Sequence, residues 1–256
     1  MADDSSIKGG VQSVERAFEL LEIMASAGGT IALGELAARA ELPQPTIHRL
    51  VRTMLAMGYV RQLPNRHYAL GPKLIRLGES ATQLIGSWSR PHLAGLVERT
   101  GETANMAVLD NDMAVYVAQV PSPHAMRMFT EVGRRVYTHS TGVGKALLMQ
   151  LSNEAIVAVL GRAGMPASTQ RTHTTPEALI RDIELSRARG YAVDEGEQEL
   201  GVRCFAVPVP DAPTPTAISI SGPEARLTLK TATTVTPLLK RIARDLASEF
   251  DREAAV

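Results

Sequence analysis

The stretch "LPQPTIHRL", residues 42–50, decides how the amino-terminal part of the chain folds. Pro43 disfavours continuation of a preceding helix, and Pro45 fixes φ at a value that suits the first turn of a new one. The apolar residues that follow fall on one side of that helix: Ile47, Leu50, Val51, Met54 and Leu55. The polar residues fall on the other side: His48, Arg49, Arg52 and Thr53. The spacing predicts a helix over about 44–57, ended by Gly58, that packs on one face and presents cations on the other.

Two helical patterns precede this stretch, and together they predict a helix-turn-helix unit. "SVERAFELLEIMASAGG" has Ser13 as its candidate cap, and "ALGELAARAE" is a shorter pattern with the same apolar spacing. A short turn then leads to the proline-bounded helix, as in DNA-reading units whose second helix enters the major groove. "YVRQL" and "RHYAL", on either side of Pro64-Asn65, predict a two-stranded wing.

The charges of the chain are distributed unevenly. The formal net charge is zero, with 27 basic and 27 acidic residues, yet no Asp or Glu occurs from Leu42 to Gly78. This local basic patch predicts an anion-facing surface, and the alternative is the solvated face of an ordinary three-helix bundle. The candidate DNA-contacting residues are Gln44, Pro45, Thr46, His48, Arg49, Arg52, Arg61 and Arg66.

Each of these candidates has a chemical reason. Thr46 is expected to offer a hydroxyl and free backbone N–H groups to a phosphate at the helix start. Arg49 and Arg52 match phosphates or guanine edges, and Gln44 matches adenine. Because the short turn, the acid-free span and the basic wing occur together, DNA binding is the favoured function of this part of the chain.

The pattern of predicted elements changes near residue 90, where strands begin to alternate with helices. The stretch before it, "KLIRLGESATQLIGSW", is interpreted as a linker helix. "TANMAVLD", "MAVYVAQV" and "AMRMFTEVG" are expected to be strands, the first two joined by a hairpin at Asp110-Asn111. "STGVGKALLMQL" predicts a helix, Thr175-Pro176-Glu177 starts another that Gly190 ends, and a last helix follows Thr228. "YAVDEGEQELGVRCFAVPV" and "TAISISG" supply further strands.

Strands and helices that interleave in this way predict an α+β fold for the second half of the chain. The expected organisation is a disordered tail over 1–10, a DNA-binding domain over 11–72, a linker helix over 73–89 and a second domain over 90–256.

Composition and failed motifs limit the chemistry. The 256 residues include one cysteine, Cys204. The start of the chain lacks the basic and apolar regions of a signal peptide. No apolar run approaches the roughly 18 residues that a bilayer span needs. A cytoplasmic protein without membrane association is therefore expected. "STGVGKA" fails as a phosphate loop, because His139 replaces its first glycine and Ala146 its final Ser or Thr. The six histidines lack metal-ligand spacing, so no metal and no other cofactor are expected.

Two interpretations of the second domain remain at this point. His139, Ser140, Lys145, Asp194 and Cys204 could form a hydrolase site, which would make the chain an enzyme with an accessory helix-turn-helix, although no G-x-S-x-G motif accompanies them. A pocket for a small ligand, formed by strand residues and a glycine-rich helix start, fits the pattern better. The sequence therefore favours a ligand-controlled DNA-binding protein over an enzyme.

The sequence resembles the IclR family of bacterial transcriptional regulators from about Val11 to Ala247. In the first domain the resemblance rests on "SVERAFELLEIMA", "LGELAARAELPQPTIHRLVRTMLAMGYV" and "HYALGPKLIRLG". In the second it rests on "VGRRVYTHSTGVGKALL", "RARGYAVDEGEQELGVRCFAVPV" and "AISISGPEARLT". It implies a winged helix-turn-helix, a linker helix and a GAF-like α/β effector domain. It also implies a homodimer or homotetramer that binds double-stranded operator DNA, commonly as a repressor of a catabolic operon, under control of a small organic or aromatic acid.

The resemblance further implies an effector pocket in the second domain. The pocket maps onto Met128, Val136, Gly142, Val143, Asp194, Cys204, Ser219 and Ser221. Met128 and Val136 would supply apolar wall, and N–H groups near Gly142 would meet a ligand oxygen. Asp194 and the two serines would hydrogen-bond polar substituents of the ligand.

The chain departs from the family pattern at two places, one in each domain. Gln44 and Pro45 occupy places where most members have a basic residue and a Ser or Thr, so base preference at that end of the helix is expected to differ. The loop from Pro210 to Thr216 lacks the usual glycine that turns between strands.

Overall fold

The computed structural model describes residues 10–85, 87–128 and 130–253. The tail predicted over 1–10 lies outside the described residues except for Gly10. The chain divides into two compact units, Met1–Ala81 and Thr82–Val256, and the division falls within the helix that the sequence predicts as a linker. Among the described residues, no helix is both long enough and apolar enough to cross a bilayer.

The first unit is a winged helix-turn-helix, as predicted. Its elements in chain order are α1 (Gln12–Ser26), β1 (Thr30–Ile31), α2 (Leu33–Arg39), α3 (Gln44–Met57), β2 (Val60–Gln62), β3 (Tyr68–Leu70) and the start of α4 (Lys73–Ile85). The strands form an antiparallel sheet in the order β1-β3-β2. Leu20, Leu36 and Ile47, one from each of α1, α2 and α3, are fully buried in a shared core. This core fixes α3 with its polar face outward.

The ends of α1 and α3 show which local signals decide the structure. Gly58 follows α3 with φ 81°, in the left-handed region that glycine adopts without steric cost. The predicted Ser13 cap is wrong, because α1 begins at Gln12 and no side chain caps it. Strand β1 escaped prediction because two residues are too few for an alternating pattern.

The second unit has the predicted α+β fold, built on an antiparallel sheet in the order β6-β5-β4-β9-β8-β7. Its elements are α5 (Arg90–Thr100), β4 (Thr103–Asp110), β5 (Met113–Val120), β6 (Arg135–Tyr137), α6 (Gly142–Leu148), α7 (Asn153–Ala163), α8 (Pro176–Arg189), β7 (Ala192–Glu195), β8 (Val202–Val209), β9 (Thr216–Pro223) and α9 (Ala232–Glu253), with 3-10 turns at Ser87–Ser89 and Leu229–Thr231. Side chains of β8 alternate between the faces of the sheet: Phe205 packs with α5 and α9, and Ala206 packs with α6.

One predicted strand of the second unit is wrong. The described residues of "AMRMFTEVG" form bends and turns, and β6 begins only at Arg135. Met126 and Val132 are exposed, and Met128 lines a cavity, so these three side chains do not follow the alternation of a strand with one buried face. Alternation alone could not separate these two arrangements.

Two turns between strands follow rules that the sequence contains. Asn111 adopts φ 51° between β4 and β5, which confirms the predicted hairpin. Asp211 adopts φ 55° between β8 and β9 and replaces the glycine expected in that loop. Asn and Asp enter the left-handed region more readily than other residues with a side chain.

Candidate functional site

The exposed face of α3 carries the cations that its sequence places there. His48, Arg49 and Arg52 are exposed, whereas Ile47 and Met54 are buried. None of these three side chains has an ion pair with another described residue. Unpaired guanidinium groups on the second helix of a helix-turn-helix suit phosphate and guanine contacts.

The first turn of α3 offers fewer free N–H groups than predicted. The carbonyl oxygen of Pro43 accepts hydrogen bonds from the N–H groups of Thr46 at 2.9 Å and Ile47 at 3.2 Å, and Pro45 has no N–H. The expectation of free backbone N–H groups at Thr46 is therefore wrong. Its hydroxyl has no partner among the described residues, and Gln44 and Pro45 beside it are exposed.

The wing presents two further cations. Arg61 is exposed on β2, and Arg66 is exposed at the turn with φ 62°. Hydrogen bonds from Leu63 N to His67 O at 2.8 Å and from Arg66 N to Leu63 O at 2.9 Å close the turn. The turn therefore holds the Arg66 backbone in a conformation that is uncommon for a residue with a side chain.

An apolar groove lies between α1, α3 and α4 within the first unit. It encloses about 650 Å³. Phe18, Val14, Met57 and Leu77 line it, and Phe18 is 65% exposed. A contiguous exposed apolar surface of this kind marks an interaction site more often than a free surface.

In the second unit, Asp194, Cys204 and Ser221 lie side by side on three neighbouring strands. Cys204 pairs in register with Asp194 on β7 and with Ser221 on β9. Ser219 shares the same face, because side chains alternate along a strand. Gly142 at the start of α6 approaches this row so closely that an added Cβ would lie 2.5 Å from Cys204 Sγ. The fold thus brings most of the predicted pocket residues together beneath α6.

Burial changes the acid–base chemistry of this row. Burial, reinforced by the Glu197 carboxylate, raises the pKa of Asp194 from 3.8 to about 7. The Glu197 N–H donates to Asp194 Oδ1 at 2.7 Å, which opposes this rise but does not cancel it. Burial and the neighbouring Asp194 also raise the pKa of the Cys204 thiol to about 12. At neutral pH the thiol is protonated, and Asp194 is present in both its neutral and its charged form.

Lys145 on α6 is buried in an ion-pair cluster beside the row. Its Nζ lies 2.8 Å from Asp182 Oδ2 and 2.5 Å from Glu197 Oε1. Burial disfavours the ammonium, but the two carboxylates outweigh it and raise the pKa of Lys145. Possible ligand atoms of His173, Asp182 and Glu197 lie within 4.8 Å of one another. The ammonium already occupies the position between the two carboxylates, so the cluster is better described as an ion-pair network than as a metal centre.

A small cavity lies next to this row. It encloses about 60 Å³ and is lined by Tyr116, Met128, Thr130, Arg134, Val136, Thr141, Gln198 and Glu199. Met128 and Val136 of the predicted pocket thus meet in its wall. Burial, with Cys204 and Asp194 nearby, raises the pKa of Tyr116, so this side chain connects the cavity with the polar row. A more open cavity of about 410 Å³ shares Met128 and Glu199 with it.

Sequence reasoning missed a polar network on the same face of the sheet. Thr130 Oγ1 donates to Asn105 Oδ1 at 2.8 Å, and Asn105 Nδ2 donates to Ser221 Oγ at 3.2 Å. Gln119 Nε2 also donates to Asn105 Oδ1 at 3.3 Å. The sequence contains a signal for this network: Asn105 and Gln119 are polar residues inside the apolar patterns of β4 and β5. A buried polar side chain needs a hydrogen-bond partner.

The candidate hydrolase residues do not form a nucleophile–base pair. Ser140 Oγ donates to Gln198 Oε1 at 3.0 Å, whereas His139 Nε2 contacts Pro166 O at 3.0 Å. Burial lowers the pKa of His139. Within the part of the chain that the structure describes, no hydrogen bond joins a histidine to Ser140 or Cys204.

Comparisons with known proteins agree with this geometry. Residues 13–64 match the IclR helix-turn-helix domain, and residues 81–248 match the bacterial transcriptional regulator IclR C-terminal domain. The chain belongs to the IclR family. It is similar to the transcriptional repressor IclR of Escherichia coli K12, with 40% identity over 249 residues that cover 94% of this chain and 91% of the relative. As a member of this family, the chain is a DNA-binding transcriptional regulator.

Solved structures of related proteins have the same fold. A transcriptional regulator from Rhodococcus sp. RHA1 matches with a TM-score of 0.80 and 28% identity, over 95% of this chain and 99% of that one. An IclR homologue from Microbacterium hydrocarbonoxydans, complexed with 4-hydroxybenzoate, matches with a TM-score of 0.79 and 23% identity, over 94% and 99% of the two chains. The second likeness concerns the fold alone.

Proposed function

We propose that this IclR protein is a repressor that reads its operator through α3 and the wing. The observation that carries this proposal is the set of exposed basic side chains without acidic partners among the described residues: His48, Arg49, Arg52, Arg61 and Arg66. Arg49 and Arg52 contact base edges or phosphates in the major groove, and the wing arginines contact the neighbouring backbone. The name of the Escherichia coli relative, a transcriptional repressor, supports repression over activation.

The effector is a small organic acid that binds beneath α6. The cavity of about 60 Å³ is far below the roughly 300–1,000 Å³ of pockets that enclose drug-sized ligands. It suits an acid of a few heavy atoms, and an aromatic acid such as the 4-hydroxybenzoate bound by the Microbacterium relative requires the pocket to open. The neutral form of Asp194 donates a hydrogen bond to the carboxylate of the effector.

The second domain binds its ligand without converting it. A thiol whose pKa is raised to about 12 is a poor nucleophile, because the thiolate is the reactive form. His139 does not contact Ser140 in a way that would activate the hydroxyl. A chromatogram of the ligand recovered after long incubation should therefore show it unchanged, and the appearance of a product would refute this part of the proposal.

The active regulator is at least a homodimer. A single helix-turn-helix reads a short half-site, and useful operator affinity comes from two units about 34 Å apart or a multiple of that distance. Phe18 on α1, which is 65% exposed, provides an apolar surface that a second copy of the first unit would cover. Light scattering should give a mass at least twice 27.5 kDa. Phe18→Ser should shift the mass toward the monomer, whereas Val157→Ser, which changes an exposed apolar residue on α7, should not.

The DNA-binding proposal is tested with an operator selected from a random duplex pool by the wild-type protein. Arg49→Ala or Arg52→Ala should weaken binding to that duplex by about 1–3 kcal/mol if the arginine contacts a guanine, with a smaller loss on unrelated DNA. Arg181→Ala, which removes an exposed arginine of α8, is the matched control. Wild-type affinity in both α3 variants would exclude α3 as the recognition helix.

The effector proposal is tested by a thermal-shift screen of acetate, lactate, succinate and 4-hydroxybenzoate. Ligand binding to the native state raises stability by RT ln(1 + [L]/Kd), about 2.7 kcal/mol at a hundredfold excess over Kd. A true effector should also release the selected operator, and Asp194→Ala should remove that response while ligand-free DNA binding persists. An unchanged response in Asp194→Ala would exclude this residue from the site.

A further inference from the structure

A cationic groove lies on the face of the sheet opposite to α6, within the second unit. The end of α5, the turn before α9 and the first half of α9 surround a cavity of about 800 Å³. The basic residues that line it are Arg99, His124, Arg226, Arg241 and Arg244, and its acidic residue is Glu102. The cavity shares none of its lining residues with the small cavity near Met128.

The acidic residue of the groove is already neutralised. Glu102 is 3% exposed, and Arg226 Nη2 donates to its Oε2 at 2.8 Å. The remaining arginines of the groove, Arg99, Arg241 and Arg244, are exposed and have no ion pair within the described residues. The groove therefore keeps the charge of three guanidinium groups, and none of its own carboxylates offsets that charge.

The pair of Glu102 and Arg226 is built into the sheet. Gly222 on β9 makes room for it, because a Cβ at this position would overlap the Glu102 carboxylate. Arg226 Nη2 also donates to Met126 O at 2.9 Å. A buried ion pair contributes little to stability compared with apolar packing of the same volume. It does hold the Arg226 guanidinium in a fixed position at the wall of the groove.

The rest of the lining decides what kind of ligand fits. Leu227, Val235 and Leu238 give the groove an apolar floor. Guanidinium groups bind carboxylate and phosphate groups through paired N–H donors. The groove is open to solvent, and its volume of about 800 Å³ lies within the range of small-molecule sites.

We propose that this groove binds a small metabolite with at least two negative charges, carried by carboxylate or phosphate groups on a short apolar frame. The site lies apart from the pocket beneath α6, so this regulator has a place for a second, more highly charged signal. The inference goes beyond the proposed function and does not depend on it.

The test is calorimetric titration of the full-length protein with citrate and, separately, with pyrophosphate, at physiological ionic strength. At least one probe should bind, and the probe that does so identifies carboxylate or phosphate as the preferred group. Arg241→Gln and Arg244→Gln should each weaken binding at least fivefold. Arg181→Gln removes the same charge from the exposed side of α8 and should leave the affinity unchanged.

Two further measurements separate this site from the pocket beneath α6 and from a surface for proteins. Asp194→Ala should leave the affinity for the polyanion unchanged, whereas a loss in that variant equal to the loss in Arg241→Gln would place the anion in the other pocket and overturn the proposal. If Arg181→Gln weakened polyanion binding as much as the groove variants do, the effect would come from the net charge of the protein and not from the groove. That result would also overturn the proposal. The absence of heat with both probes, or binding only of an acidic polypeptide such as polyglutamate, would exclude a small-molecule site.

Discussion

Replacing Asp194 with Asn is expected to remove a pH dependence of stability that is specific to the buried row. The pKa of Asp194 is raised from 3.8 to about 7, mainly because burial disfavours the carboxylate and also because Glu197 is near. The native state therefore keeps a proton that the unfolded state releases between these two pH values. The free energy of unfolding must fall as the pH rises through that window, since stability falls wherever the native state binds more protons.

The magnitude follows from the size of the shift. A rise from 3.8 to about 7 corresponds to about 4 kcal/mol, at about 1.4 kcal/mol for each tenfold change in proton affinity. The full contribution is present below about pH 4 and is lost by about pH 7, so one pH step within the window costs about 1.4 kcal/mol. Asn keeps an oxygen for the Glu197 N–H, which donates to Asp194 Oδ1 at 2.7 Å, but it has no proton to release.

The assay is urea denaturation of wild type and Asp194→Asn at several pH values across the window. The single tryptophan, Trp88, packs edge-on against Phe250 at 4.6 Å between ring centroids, so its fluorescence reports on the second unit. Asp211→Asn is the control, because Asp211 is exposed with φ 55°, which asparagine also adopts readily. Parallel pH profiles for wild type and Asp194→Asn would refute the idea that the native state holds this proton.

The same proton should control the affinity for an acidic effector. Neutral Asp194 donates a hydrogen bond to a carboxylate, whereas the charged form repels it. The Kd of wild type should therefore rise by up to about tenfold for each pH step above about 7, while that of Asp194→Asn stays constant. The other charged or titratable groups close to Asp194 are Lys145, Glu197, Cys204 and Tyr116. A Kd that does not depend on pH in wild type would contradict this account.

Three further changes test the stability of the second unit. Gly142→Ala should destabilise the second unit by about 1–3 kcal/mol, because the new Cβ lies 2.5 Å from Cys204 Sγ. Gly161→Ala on α7 is the control: its Cβ meets nothing within 4 Å, so this variant should not lower the melting temperature. Lys145→Met removes the ammonium that pairs with Asp182 and Glu197 and leaves their carboxylates without it. The free energy of unfolding in denaturant titration should fall by about 3–5 kcal/mol. Thr175→Ala removes the cap that accepts a hydrogen bond from Ala178 N and should cost about 1 kcal/mol by the same measurement.

The limits of α3 were predictable because local rules set them. The predicted range of 44–57 agrees with Gln44–Met57, since Pro45 favours the first turn and Gly58 ends the last one. The same reasoning found the start of α8 at Thr175-Pro176 and its end at Gly190. The sequence analysis did not predict α7, although its start carries a capping residue. Ser152 accepts a hydrogen bond from Ala155 N, and serine is a favoured N-cap.

The polar network of the second unit was not predictable from local rules. Lys145 looks like a phosphate-loop lysine in sequence, but its partners Asp182 and Glu197 lie 37 and 52 residues away. Asn105 and Ser221 meet only because β4 pairs with β9, across a separation of 116 residues. Family resemblance supplied the row of pocket residues, but which of them meet the cavity depends on the order of the strands.

The loop between β7 and β8 joins the ion-pair network to the cavity. Gly196 and Gly201, with φ 77° and 81°, allow this loop to turn over the end of α6. Within it, Glu197 binds Lys145, and Gln198 and Glu199 line the cavity. A ligand shifts a conformational equilibrium only if it binds one state better than the other. We therefore expect an acid in the cavity, which contacts Gln198 and Glu199, to affect the ion pair of the adjacent Glu197 with Lys145 on α6.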